Sequence, residues 1–244
     1  MKTVVISQPM LFPWFGFFEL MRQADVYVHL DDVEFSFGSF TNRIQIKTTK
    51  AIVWMTIPIQ RGDGKPLIGT MEATQGPWRR KHRELVRQAL AGAPHLDDAL
   101  ALFDQAYAKN RVADLLIDSI EGPASYLGLT LDRPMLASTL KLTSTGTQRV
   151  LDIVLKMGGT RYITAHGAAD YLDHEAFERA GVAVEYIEYS KHPYPQLHGE
   201  FTPYVSVLDL IANCGPESRA KLGGSLIPWR EFLARRSTPI TEPN

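Results

Sequence analysis

Paired carboxylates, scattered histidines and a dense run of cations are the groups in this chain whose types and spacing suit chemistry. Leu30-Asp31-Asp32-Val33-Glu34-Phe35 closes an apolar strand, and successive strand side chains point to opposite faces, so Asp31 and Asp32 aim apart while Asp32 and Glu34 share a face. The pattern places one acid at a site. Such an acid acts as a general base if burial raises its pKa, clamps sugar hydroxyls, or simply forms a turn or caps a helix. No histidine lies at ligand spacing nearby, so no metal is expected.

The second constellation is Gly76-Pro77-Trp78-Arg79-Arg80-Lys81-His82-Arg83. Pro77 suits a first helical turn, yet the turn carries Arg79, Arg80, Lys81 and Arg83 where the helix dipole favours acids. A bound anion such as a diphosphate would relieve that repulsion. Trp78 and His82 fall on the apolar face of the same helix, which reads His82 either as a packed core residue or as a proton-transfer group.

Other candidates sit where strands end. Gln8 follows the first strand, in a loop that also carries Phe12, Trp14, Phe15 and Phe17 and so offers either a flat pocket wall or core contacts. Asn42 precedes Arg43, Gln45 and Lys47, which share one face of a strand as a small cationic stripe, either anion-binding or merely solvated. His166 follows another strand directly, with Tyr171 a turn later, and Tyr194 and Gln196 lie in a proline-stiffened loop between His192 and His198. The lone cysteine, Cys214, sits at a helix end where the dipole opposes thiolate formation. No serine elbow, glycine-rich phosphate loop or HExxH helix is present.

The elements that must position these groups alternate. Thr3 to Ile6 and Val26 to Leu30 read as strands flanking a short helix over Phe17 to Ala24, and a crossover of that length joins parallel strands. Asn42 to Lys47 and Ile52 to Ile59 read as an antiparallel pair turning near Thr48 to Lys50. Helical spacing then runs through Trp78, Leu85 and Val86, through Leu96, Leu100 and Phe103, and through Val112, Leu115 and Leu116. A strand at Met135 to Ala137, a helix capped by Thr147, strands at Arg161 to Ala165 and Val182 to Tyr189, and one last helix from Ser206 to Gly215 complete the pattern. The fold class expected is α/β, a Rossmann-like mostly parallel sheet with a helical insertion over about 78–128, in one domain over 1–236 with 237–244 a frayed tail.

Composition narrows the partners. The 244 residues carry 26 Lys+Arg against 27 Asp+Glu, too balanced for a protein that coats nucleic acid or an anionic membrane. A single cysteine excludes an internal disulfide framework, and neither a membrane span nor a signal peptide is visible, so a cytoplasmic location is expected.

With these residues in view, the chain resembles the WbqC-like family from about Ile6 to Gly215. The resemblance rests on Gln8-Pro9, Pro13-Trp14 with Gly16, Ala24-Asp25, Leu30 to Val33 with Phe35, Asn42-Arg43, Trp78 with His82, Tyr171-Leu172, Tyr194 with Gln196, and Phe201 through Pro203 to Ser206 and Asp209. It implies a role in surface-polysaccharide or O-antigen synthesis: transfer of an acyl or aminoacyl (glycyl-type) group to an amino sugar. The implied substrate is a nucleotide-linked amino sugar. The implied donor is a CoA or carrier-protein thioester, with an acyl carrier protein and a second copy of the chain as possible partners. On this reading the stretch from Arg79 to Arg83, with Arg43 and Lys47, holds phosphates; Asp32, His82 or Asp31 handles the proton; Gln8, Asn42 and Gln196 orient polar groups. The alternatives are an ATP-dependent amide ligase and a non-catalytic nucleotide-sugar-binding protein. Ser7 stands where many members have histidine, which weakens that position as a base. The opening strand, proline loop, helix and strand are also similar to nucleotidylyltransferase-like folds, although the histidine pair of their ATP loop is missing from Trp14-Phe15-Gly16-Phe17.

Overall fold

The computed structural model describes residues 1–62, 64–129 and 132–237. Its strands are β1 (Thr3–Ser7), β2 (Val26–His29), β3 (Arg43–Lys47), β4 (Ile52–Thr56), β5 (Asp132–Leu136), β6 (Arg161–Thr164), β7 (Ala183–Glu188) and β8 (Ser225–Pro228). Six of them form one sheet in the order β5-β2-β1-β6-β7-β8, and β3 and β4 form a separate antiparallel hairpin. All neighbours in the six-stranded sheet are parallel except β7 and β8.

The chain builds outward from β1 to β2 and β5, then returns to the other side of β1 to lay down β6 and β7. The order therefore reverses between β1 and β6, and in an open α/β sheet ligands bind at the carboxyl ends of the strands beside such a reversal. The crossovers are α1 (Phe15–Met21), α5 (Gly146–Lys156) and α6 (His174–Arg179). Three helices, α2 (Trp78–Ala89), α3 (Leu96–Tyr107) and α4 (Val112–Tyr126), fall between β4 and β5, while α7 (Val207–Cys214) and α8 (Trp229–Ser237) follow β7.

Both faces of the sheet are covered, which is why the central strand β1 reads as nearly unbroken Val and Ile. Val5, Tyr27, Ile163 and Ile187 pack with Phe18, Phe103, Leu116 and Ile211. Val4, Val28, Tyr162 and Val184 pack on the opposite face with Leu151, Val154 and Phe177.

Three expectations are corrected. The helix over 206–215 is not the last element, because β8 adds antiparallel to β7 and α8 follows it. Ser-Leu-Ile-Pro is too short and too proline-bound to read as a strand in isolation. Thr147 does not cap α5: the N-cap is Thr145, and the Thr147 hydroxyl donates 3.0 Å to the Tyr171 carbonyl instead. Ser206 does cap α7, accepting from the Leu208 N–H, but Asp209 turns to Tyr194 rather than completing a capping box. The predicted frayed end lies beyond Ser237, outside the described residues. No helix among the described residues is long and apolar enough to cross a membrane.

Candidate functional site

The carboxyl rim of the sheet is assembled by backbone hydrogen bonds that lock three segments together. The Leu11 N–H donates to the Thr41 carbonyl, the Val207 N–H to Pro13, and the Ser206 N–H to Gln45. The loop after β1, the segment from Thr41 through β3 and the segment entering α7 thus form one ridge. Gln8 lies in this ridge, its amide oxygen 3.5 Å from the Thr41 hydroxyl. The Trp14 ring folds back over Gly16, where a Cβ would stand 2.2 Å from the ring, so glycine is required for Trp14 to lie there. Tyr189 at 4.8 Å and Tyr204 at 5.3 Å flank the indole and make an aromatic wall.

The two adjacent carboxylates part as the strand alternation requires. Asp31, buried at the end of β2, accepts the Ser138 N–H at 3.0 Å and the Ser138 hydroxyl at 2.6 Å, while its backbone carbonyl accepts the Gly69 N–H. Its oxygens are committed to holding the segment after β5. Asp32 pairs with the Arg149 guanidinium from the first turn of α5. Arg149 also donates to the Leu142 carbonyl at 2.8 Å, and Asp32 keeps one buried oxygen without a partner among the described residues. Among the described residues no hydrogen bond or ion pair joins Glu34 to Asp32; Glu34 bridges by its backbone to Leu67.

His166 leaves the end of β6 exposed, with its ring between Tyr189 at 5.4 Å and Phe232 at 5.0 Å. Its Nε2 lies 2.7 Å from the Ile187 carbonyl. A carbonyl only accepts, so Nε2 carries the hydrogen and the neutral ring presents Nδ1 as a free base. Val5 pairs with Ile163, so three residues later Gln8 and His166 leave the sheet on neighbouring strands. A cavity of about 460 Å³ opens beside His166, lined also by Asp170, Glu188, Arg235 and Arg236. Tyr171 is exposed and contributes its carbonyl, not its ring, to a bond with Thr147.

The cationic stripe on β3 divides. Arg43 stacks 4.3 Å over the Trp54 ring, its Nε is buried, and it makes no hydrogen bond or ion pair among the described residues. Lys47 is buried, donating to Gln196 at 3.0 Å, to the Gly199 carbonyl at 3.3 Å and to the Glu200 carbonyl. Gln196 donates to the Tyr194 hydroxyl, which donates to Asp209 at 3.0 Å. Burial pushes the Asp209 carboxyl up to about 6, against the opposing pull of Tyr194 and Lys47, and lifts the Tyr194 phenol well above its ordinary value. Lys47, Tyr194 and Gln196 therefore meet in one closed network that clamps the 192–206 segment onto the hairpin. Asn42 is buried too, its amide donating 2.8 Å to the Ile57 carbonyl.

Two of the crowded cations of α2, Arg79 and Arg83, have protein partners. Arg79 donates to the Tyr107 carbonyl at 2.6 Å and to Lys109 at 2.8 Å, closing the carboxyl end of α3, and Arg83 pairs with Asp104. Arg80 lines an open surface groove with Lys81 and Arg83. Trp78 and Arg79 line a polar cavity of about 590 Å³ with Gln75, Asn110 and Arg111, whose wall includes neither Gln8 nor Asp32. His82 is buried against Tyr107, its Nδ1 2.8 Å from the hydroxyl, and burial holds its pKa down to about 4. It stays neutral inside an aromatic cluster with Trp78. Burial also pushes the Cys214 thiol up.

Arg149, Tyr189 and Tyr204 escaped the sequence reading because each joins the rim through a distant partner. His29 and Glu121 were also missed: the buried His29 ring lies 3.0 Å from the Glu121 carboxylate. The alternation in Val26-Tyr27-Val28-His29 was the signal available, since it breaks an apolar strand with an imidazole.

Among known proteins, the pattern of the WbqC-like protein family matches residues 8–221. A Mycobacterium tuberculosis protein described as uncharacterized is 27% identical over 223 residues, spanning 89% of this chain and 96% of that protein. No solved structure matches the chain. With the match extending from the loop after β1 to the segment after α7, the chain belongs to the WbqC-like protein family.

Proposed function

We propose that this protein transfers an acyl or aminoacyl group to the amine of a nucleotide-linked amino sugar, forming an amide at the carboxyl rim of the sheet. The observation that carries the reading is His166: a surface imidazole whose tautomer is fixed by the Ile187 carbonyl, so that Nδ1 is available to take a proton. Amide formation needs that service, because the attacking ammonium must lose protons before or as it meets the acyl carbonyl. Arg43, with no carboxylate partner among the described residues and stacked on Trp54, suits a phosphate oxygen of the sugar nucleotide. Trp14 and Tyr204 offer faces for a sugar or base. Gln8, in the same loop as Trp14 and beside Thr41, supplies an amide.

His82 and Asp31 have other work in this arrangement, and Asp32 acts through Arg149 to hold the first turn of α5. The test is a thermal-shift screen across nucleotide-linked amino sugars, CoA thioesters and ATP, followed by product analysis with the ligands that raise the melting temperature. Amide formation from a thioester without ATP supports transfer. Strict ATP dependence points to a ligase, and binding without turnover under any donor points to a sugar-nucleotide-binding protein.

A further inference from the structure

Ser7 and His29 are register partners on adjacent parallel strands, β1 and β2, and their side chains emerge on the same face. Strand spacing of about 4.8 Å puts a serine Oγ and an imidazole nitrogen at such a pair within hydrogen-bond reach by one rotamer change. His29 is fully buried, and its Nε2 faces the Glu121 carboxylate at 3.0 Å. With the hydrogen on Nε2, the lone pair lies on Nδ1, which is buried and has no partner among the described residues. The Tyr27 hydroxyl, two residues back on the same face, is buried beside Ser7 and closes no hydrogen bond of ordinary geometry. Ser7 itself is half-buried, its hydroxyl lying against the Tyr27 phenol and donating to the adjacent Gln8 carbonyl at 3.3 Å. Two orphaned polar atoms around one loosely held hydroxyl call for an explanation beyond packing, because each costs stability as it stands.

We propose that Ser7 is an acyl-accepting nucleophile, with His29 as its base and Glu121 as the residue that positions His29. The inference rests on the acyl-transfer reading above and adds a covalent intermediate to it. The Ser7 Oγ attacks the carbonyl carbon of an acyl thioester while its proton passes to His29 Nδ1. The Tyr27 hydroxyl donates to the developing oxyanion. The C–S bond then breaks, and the thiolate leaves with the proton from His29, so that a Ser7 ester remains. The sugar ammonium first gives one proton to His166; the amine so formed attacks the ester, the C–O bond breaks, and the second proton of the nitrogen restores the Ser7 hydroxyl. Glu121 borders a cavity of about 320 Å³ on one side of the buried His29, and Ser7 is half-buried at the end of β1 on the other.

A fluorophosphonate ester tests the nucleophile without knowledge of the donor: a P–O bond forms at an activated serine, fluoride leaves and the base takes the proton. The full chain should gain one phosphonyl group, mapped by mass spectrometry to Ser7 and absent from Ser7→Ala. Labelling should slow at least 100-fold in His29→Gln, and about tenfold in Glu121→Gln with partial recovery in Glu121→Asp. Unlabelled Ser7 in a protein that still forms amide from a thioester overturns the nucleophile and leaves the transfer reading intact. Equal labelling of wild type and a folded His29→Gln overturns the dyad. Labelled Ser7 with no amide from any donor supports the nucleophile and removes the transfer reading.

Discussion

Asp32, just past β2, and Arg149, in the first turn of α5, form an ion pair that ties the two sides of the rim together. Their side chains are only 21% and 10% exposed, so removing one partner strands the other charge. Arg149→Ala is expected to lower the unfolding free energy by about 3 kcal/mol, and the double variant Asp32→Leu with Arg149→Met to recover most of it. Urea denaturation of the wild type and both variants checks this.

His82 and Asp209 set opposite pH dependences. The His82 pKa is lowered to about 4 by burial, so between there and its ordinary 6.5 the unfolded chain binds more protons and stability falls on acidification. The Asp209 carboxyl is raised from 3.8 to about 6, so over nearly the same window the native state binds more protons and stability falls as pH rises. The two terms offset, giving a flat profile. His82→Gln is expected to lose stability from pH 4 to 6 and Asp209→Asn to gain it, each at no more than about 1.4 kcal/mol per pH unit, read from melting curves across that range.

Arginine substitutions should separate structure from binding. Arg79→Ala leaves carbonyls at the end of α3 without their donor and is expected to cost about 1–2 kcal/mol of stability. Arg43→Ala breaks no hydrogen bond or ion pair among the described residues. Its expected effect is a 10–100-fold loss of affinity for a sugar nucleotide, the usual worth of a charged hydrogen bond, with an unchanged melting temperature. Calorimetric titration alongside melting curves distinguishes the two.

His166→Gln keeps an amide able to meet the Ile187 carbonyl but supplies no base. Under the proposed chemistry the turnover rate drops by about 10²–10⁴-fold while nucleotide-sugar affinity stays within a few-fold of wild type. Turnover at the wild-type rate in this variant removes His166 from proton transfer.

Much of the scaffold was legible from local signals. Thr3 to Ile6, Asn42 to Lys47 and Arg161 to Ala165 announced their strands by β-branched runs and alternation, and the three helices between β4 and β5 by apolar spacing. What stayed hidden was decided at long range. The cationic turn of α2 broke a helix rule, and for Arg79 and Arg83 the partners lie in and just past α3, about twenty to thirty residues on. Lys47 read as part of a solvated or anion-binding stripe because nothing near it in sequence announces the cover supplied by Gln196 and Glu200. The opposite aims of Asp31 and Asp32 followed from strand geometry alone, whereas their partners, Ser138 and Arg149, lie more than a hundred residues away.

The placement of β6 beside β1 also governs the birth of the molecule. During synthesis β1 waits for its second neighbour until residues 161–164 have been made. Until then one flank of the sheet's middle strand stays bare, and a chaperone that shields Val4 and Val5 during that interval should raise the yield of correctly assembled protein.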